Sequence, residues 1–267
     1  MTLLLAPLHL LQLVFLALWS VFWITLSGVA GLLTLNKDVP LAMARRCWAS
    51  MHWRITGSSL SVEPLPDVDW SKPHIFVMNH QSMMDIPCAF AAIPANIRFV
   101  AKHTLKYVPF LGWYMALTGM IFVNRSDRRK AMASLTLAGE RIRAGANILA
   151  FPEGTRSKDG RILPFKKGPF LLALEAKVPI IPVAIDGTGQ VLPAGSFRLR
   201  RSAIRMKLGR PIETAHRARS ERDALLVEVR DALIQLQKDI GGAGGVPEAI
   251  ADAGTEGRPA RSLQRAG

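Results

Sequence analysis

At 267 residues the chain can hold one catalytic domain of ordinary size with accessory segments. A formal charge of +14 calls for an acidic partner, but no nucleic-acid recognition module is present and aromatics are only 7%. Anionic lipid headgroups, phosphorylated substrates or an acidic carrier protein fit better, and two cysteines, Cys47 and Cys88, without zinc or redox spacing give neither a disulfide framework nor a metal site.

The first 36 residues contain no Lys, Arg, Asp or Glu, and the run 8–24 is dense in Leu, Val, Phe and Trp. A bilayer span needs about 20 apolar residues. The stretch can therefore cross once with tilt, or form a hairpin broken near Ser27-Gly28. A basic n-region and a small-residue cleavage site are missing, which argues against a signal peptide. Lys37, Arg45, Arg46 and Arg54 follow, interleaved with Met43, Trp48, Met51 and Trp53. That mixture predicts an interfacial amphipathic helix with tryptophans at the membrane boundary. Residues 1–57 thus read as a membrane-embedded helical segment.

The next element, Ile75-Phe76-Val77-Met78, has the apolar run of a buried strand. It leads into Asn79-His80-Gln81-Ser82-Met83-Met84-Asp85, and a helix is predicted over 86–93, ending at Pro94. In one straight helix, positions five apart do not share a face. His80 and Asp85 can meet only if His80 precedes the helix and Asp85 lies in its first turn. A carboxylate there can fix the tautomer of an imidazole and stabilise the imidazolium. Ser82-x-x-Asp85 also has a capping-box-like spacing, so the pair alone leaves a purely structural Asp85 open. Cys88 sits in the apolar helix and reads as buried and structural.

Further along stand Ala101-Lys102, and then an apolar strand within 119–125 that ends in Arg125. Ile148-Leu149-Ala150-Phe151 predicts another buried strand, running into Pro152-Glu153-Gly154-Thr155-Arg156-Ser157. The glycine permits close backbone approach, and an arginine fork matches phosphate oxygens. Lys166 and Lys167 read as a donor-side or membrane-facing pair. Residues 178–185 form a strand whose prolines point to an edge or a bend. Three strand ends carrying His, Arg and Glu-Gly-Thr-Arg would converge on one crevice of an open parallel sheet. Residues 197–208 read as a strand or extended hairpin with a basic face. After Ser220-Glu221-Arg222-Asp223, the stripe Leu225, Leu226, Val229, Leu233, Leu236 predicts a packed amphipathic helix. Residues 241–267 are expected to be a disordered tail.

The four blocks 79–85, 119–125, 151–157 and 178–185, in that order, resemble those of the glycerolipid acyltransferases, most closely the 1-acyl-glycerol-3-phosphate (lysophosphatidic acid) acyltransferases. The resemblance covers roughly 53–210. Asn124 departs from it, since an acidic residue often precedes the arginine. The resemblance implies an α/β domain over 58–240, a mainly parallel sheet surrounded by helices. His80 would be the general base and Asp85 its orienting partner. Lys102, Arg125 and Arg156 would hold the acceptor's phosphate, with Glu153, Gly154 and Thr155 shaping that pocket. The implied reaction moves a fatty acyl group from an acyl-CoA or acyl-carrier-protein thioester to lysophosphatidate at the cytoplasmic face of the cell membrane, without metal or cofactor. Glycerol-3-phosphate, another lysolipid such as a lyso-ornithine lipid, and ester hydrolysis remain as alternatives.

Overall fold

The computed structural model describes residues 6–124 and 128–246. The chain opens with α1 (Ala6–Thr34), α2 (Asp38–Met43), a π-helical turn (Ala44–Trp48) and α3 (Met51–Arg54). Then come β1 (Ser59–Val62), β2 (Ile75–Met78), α4 (Asp85–Ala92), β3 (Ile97–Lys102), α5 (Leu111–Leu117), β4 (Ile121–Val123), α6 (Arg128–Arg143) and β5 (Asn147–Ala150). The last elements are α7 (Gly168–Ala176), β6 (Ile180–Asp186), α8 (Thr188–Val191), β7 (Ala203–Leu208) and α9 (Arg222–Asp239).

The strands form one seven-stranded sheet in the order β1-β7-β6-β2-β5-β3-β4, in which only the β6–β7 pairing is antiparallel. Alternation along each strand divides the core. Phe76, Met78, Leu149 and Ile181 face the layer of α1, α4 and α5, while Ile75, Val77, Ile148 and Ile180 face α6, α7 and α9. Strands buried on both faces must be apolar throughout, as Ile75-Phe76-Val77-Met78 is. Because β2, β3, β4, β5 and β6 run parallel, their carboxyl ends share one edge.

The structure decides four expectations, two of which leave alternatives open: a single helix or a hairpin at the N-terminus, and an edge or a bend at residues 178–185. Strand β6 lies inside the sheet, between β2 and β7, rather than at an edge. Pro182 is tolerated because its carbonyl accepts Gly209 N–H where the pairing slips by one residue, from Ile180↔Ile212 to Val183↔Leu208. Its missing N–H falls at that irregularity. Second, α1 is a single helix, ~43 Å long at 1.5 Å per residue. It does not break at Ser27-Gly28; Ser27 bonds back to Trp23 O, and a Cβ at Gly31 would lie 2.6 Å from Pro40 Cγ. The glycine serves close packing, not a turn. Third, Trp48 and Trp53 pack inward: Trp53 is buried, and Trp48 sits edge-on to Phe90 at 5.8 Å. Fourth, the chain beyond Gly241 stays ordered through Val246. Gly244 N–H reaches Gln237 Oε1, and Val246 N–H reaches Ile162 O. Residues 247–267 lie outside the described residues.

Helix α1 is inverted relative to a soluble amphipathic helix. Its polar side chains Gln12, Ser20 and Ser27 face the domain, while Leu11, Leu18, Phe22 and Leu32 are exposed. Gln12 donates to Ile55 O, Trp19 to Trp48 O, and Trp48 to Ser20 Oγ. His52, 3.4 Å from Ser20 Oγ, is held down to about pKa 4 by burial and is neutral there.

Candidate active site

Strand β2 ends at Met78, and Asn79 turns back to clamp β6. Its Oδ1 accepts Ile185 N–H at 2.8 Å and its Nδ2 donates to Ile185 O at 2.9 Å. His80 follows at the carboxyl edge. Its Nδ1 is 2.7 Å from Asp85 Oδ2, on the first residue of α4. Asp85 is fully buried and surrounded by donors. Oδ2 also accepts Gln81 N–H (2.7 Å) and Ser82 N–H (2.9 Å), and Oδ1 accepts the Thr188 hydroxyl (2.5 Å). The capping and orienting roles left open by the sequence are thus filled by the same carboxylate. Since Oδ2 is an acceptor here, Nδ1 carries the imidazole proton and Nε2 presents a lone pair. Among the described residues nothing bonds Nε2, and the His80 side chain keeps 16% exposure.

The block after β5 completes the grip on His80. Phe151 stacks on the imidazole at 4.1 Å, Ser157 N–H donates to His80 O at 2.7 Å, and Glu153 Oε1 accepts His80 N–H at 2.7 Å. Glu153 Oε2 accepts Leu163 N–H at 3.0 Å. The carboxyl expected to shape the acceptor pocket is therefore buried and spent on backbone donors. Burial pushes its pKa up to about 8, against those two N–H bonds and with Asp85's charge adding to the rise. Glu153 braces the base instead of facing a ligand.

Gly154, at φ +74°, turns the chain so that Thr155 is exposed and Arg156 half-buried at the same edge. Lys102, the last residue of β3, is exposed there too. Arg125 lies outside the described residues. Lys167 pairs with Asp223 at 3.1 Å, whereas Lys166 is simply exposed. The basic face of β7 is partly matched, Arg205 with Asp186 and Lys207 with Asp239. A cavity of about 380 Å³ opens beside Gln81 and Ser157, but Asp159 and Asp186 offset its Lys158 and Arg205. Among the described residues no three His, Cys, Asp or Glu side chains group to hold a metal.

Thr188 and the brace by Glu153 were not foreseen. Thr188 lies just past β6, at the edge where every parallel strand delivers its loop, so the strand-end rule itself could have found it. Gly187 makes its approach possible: at φ +91°, a Cβ there would sit 2.1 Å from Ala203 O.

An oriented imidazole with Nε2 open at the crevice of a mainly parallel α/β sheet has the geometry of a general base. The acyltransferase family model matches residues 59–186, which hold His80, Asp85, Glu153 and Arg156. The 1-acyl-sn-glycerol-3-phosphate acyltransferase of Saccharomyces cerevisiae is 38% identical over 173 residues, 64% of this chain and 57% of the yeast protein. A chloroplastic Brassica napus protein of the same activity name is 35% identical over 175 residues, 65% of this chain and 48% of its own. This chain thus spans about half the length of these relatives. The crystal structure of the 1-acyl-sn-glycerophosphate (LPA) acyltransferase PlsC from Thermotoga maritima superposes with a TM-score of 0.78 at 26% identity, covering 90% of this chain and 98% of that one. Residues 59–186, just under half of the chain, thus match the acyltransferase family model, and the chain shares the fold of that LPA acyltransferase.

Proposed function

We propose that this protein transfers a fatty acyl group from acyl-CoA or an acyl-carrier-protein thioester to the 2-hydroxyl of 1-acyl-glycerol-3-phosphate, forming phosphatidate for phospholipid synthesis. The observation that carries the reading is the His80–Asp85 pair, tautomer-fixed and with Nε2 open. Relatives named for that reaction support the acceptor. Nε2 takes the hydroxyl proton as oxygen attacks the thioester carbonyl; the C–S bond then breaks and the imidazolium returns the proton to the departing thiolate. Asp85 stabilises the imidazolium in between. Direct transfer is favoured over an acyl-enzyme because the nearby candidate nucleophiles are engaged. Ser82 Oγ donates to Leu192 O, Ser157 Oγ to Asp159, and Cys88 is fully buried, its thiol pushed well up by desolvation. Arg156, Lys102 and Arg125 would receive the acceptor's phosphate.

The apolar face of α1 would lie in one leaflet at the cytoplasmic side of the cell membrane. The helix is long and apolar enough to cross, but its contacts with Ile55, Trp48, His52 and Pro40 hold it along the domain. Insertion beside the domain therefore fits better than an isolated span. An assay of thiol release by the full chain, with a panel of acceptors, tests the proposal. Release should depend on lysophosphatidate. Release without an acceptor would mean hydrolysis, and equal use of a lysolipid lacking a phosphomonoester would replace the acceptor.

A further inference from the structure

From the loop after β3 into the first turn of α5 the chain places four large apolar side chains in solvent within seven positions: Tyr107 (78% exposed), Val108 (40%), Phe110 (42%) and Trp113 (65%). The turn that displays them is tightly built. Phe110 adopts φ +60°, ψ −57°, the strained centre of a γ-turn closed by Leu111 N–H to Pro109 O at 2.7 Å, and its ring meets Trp113 at 5.4 Å. Gly112 lets the turn close, since a Cβ there would fall 2.2 Å from Lys106 O; its N–H donates to Val108 O at 2.7 Å. Tyr114 OH, bonded to Pro40 O at 3.1 Å, fixes the helix behind the turn to α2. A strained backbone maintained in order to expose aromatics is poorly explained by packing within the chain.

Position supplies the partner. The turn leaves the carboxyl end of β3, the edge that carries His80. At its other end α5 joins α1: Leu117, one turn beyond Trp113, packs against Gly28 and Gly31. The exposed aromatics therefore lie between the carboxyl edge of the sheet and a helix packed on the inner side of α1. Lys102 and Lys106 are exposed on the same stretch, and the whole chain carries +14. Amphipathic aromatics flanked by lysines match the headgroup–acyl boundary of an anionic leaflet.

We infer that residues 107–113 form a second bilayer-docking element, which with α1 sets the carboxyl edge of the sheet, and so His80, against the leaflet that presents the acceptor. The inference rests on the reading of α1 as membrane-inserted. A second copy of the chain, or a guide for the acyl chain, are the other possible occupants.

The test uses the full chain mixed with phosphatidylcholine–phosphatidylglycerol vesicles whose acyl chains are brominated, comparing wild type with Trp113→Phe. The emission assigned to Trp113 by difference should be quenched. Phe110→Gly/Trp113→Ser, in which glycine adopts the positive φ without strain, should lower turnover of vesicle-borne lysophosphatidate roughly tenfold at limiting lipid, in line with the apolar area withdrawn. Turnover of a short-chain, water-soluble lysophosphatidate should be unchanged. Vesicle flotation of wild type without Trp113 quenching overturns the second docking element and leaves α1 standing. Failure of wild type to float overturns both. Equal loss on the soluble acceptor would make the turn an acyl-chain guide, and loss of a dimer in the double variant would make it a self-interface; either result rejects the proposal.

Discussion

His80 is held by its N–H, its carbonyl, its ring face and Nδ1, and among the described residues its Nε2 has no hydrogen-bond partner. His80→Ala should therefore lower turnover by about 10²–10⁴-fold with the fold retained, as expected for a lost general base. Near-normal turnover from a folded variant would reject the mechanism. Thr188→Val removes the hydroxyl at nearly constant volume and leaves Asp85 Oδ1 without that donor. It should destabilise by about 1–3 kcal/mol and lower kcat about tenfold, with Thr188→Ser restoring both. Recovery of stability without recovery of kcat would confine Thr188 to a structural role. Glu153 sets a pH dependence. Its folded pKa, about 8, lies above the ordinary 4.5, so the folded state binds the extra proton between those values. Stability should fall as pH rises through that window, by on the order of a few kcal/mol, relative to Glu153→Gln. Denaturant titrations of both proteins from pH 5 to 9 check the slope, and parallel curves would contradict it.

Helix α1 meets α2 in a close approach at Gly31. Gly31→Val places side-chain atoms where Pro40 already stands, so α1 must shift or α2 must give. Overpacking of this kind costs about 1–3 kcal/mol. Thermal unfolding in detergent should show the loss, and protease sensitivity should rise near the α1–α2 connection. An unchanged midpoint would mean that α1 is attached more loosely than its bonds to Trp48 and Ile55 indicate. The buried strands and α9 were legible as elements because their apolar periodicity is the physical cause of their burial: Leu225, Val229 and Leu233 are fully buried as spaced. Strand β3 was not legible. Its alternation of Ile97, Phe99 and Ala101 with Arg98, Val100 and Lys102 is a strand's period, but it spans only six residues, and pairing with β5 and β4 fixes it.

For the whole molecule, the placement of charge at one sheet edge is what would distinguish a phosphate-bearing acceptor from a neutral one. Arg156→Lys keeps the charge but loses the planar fork, so acceptor efficiency should drop roughly ten- to hundredfold when lysophosphatidate is varied, with little change when acyl-CoA is varied. A loss confined to the donor would move Arg156 to the coenzyme side. The sequence by itself placed an imidazole and a carboxylate behind one buried strand and an arginine behind another, and the four ordered blocks carried the resemblance that implied their chemistry. It also determined that strand ends would carry the site, since an apolar strand must stop where polar residues begin. Tertiary structure alone decided that β6 lies inside the sheet despite Pro182, because the tolerated irregularity depends on where β7 pairs. It also decided that Glu153 braces His80, that Thr188 completes the Asp85 shell, and that α1 turns its polar side inward. Each of these rests on a contact between residues more than 25 positions apart in the chain, as Glu153–His80, Thr188–Asp85 and Trp48–Ser20 are. Local pattern cannot encode such contacts, because their geometry exists only once the sheet has brought the strand ends together.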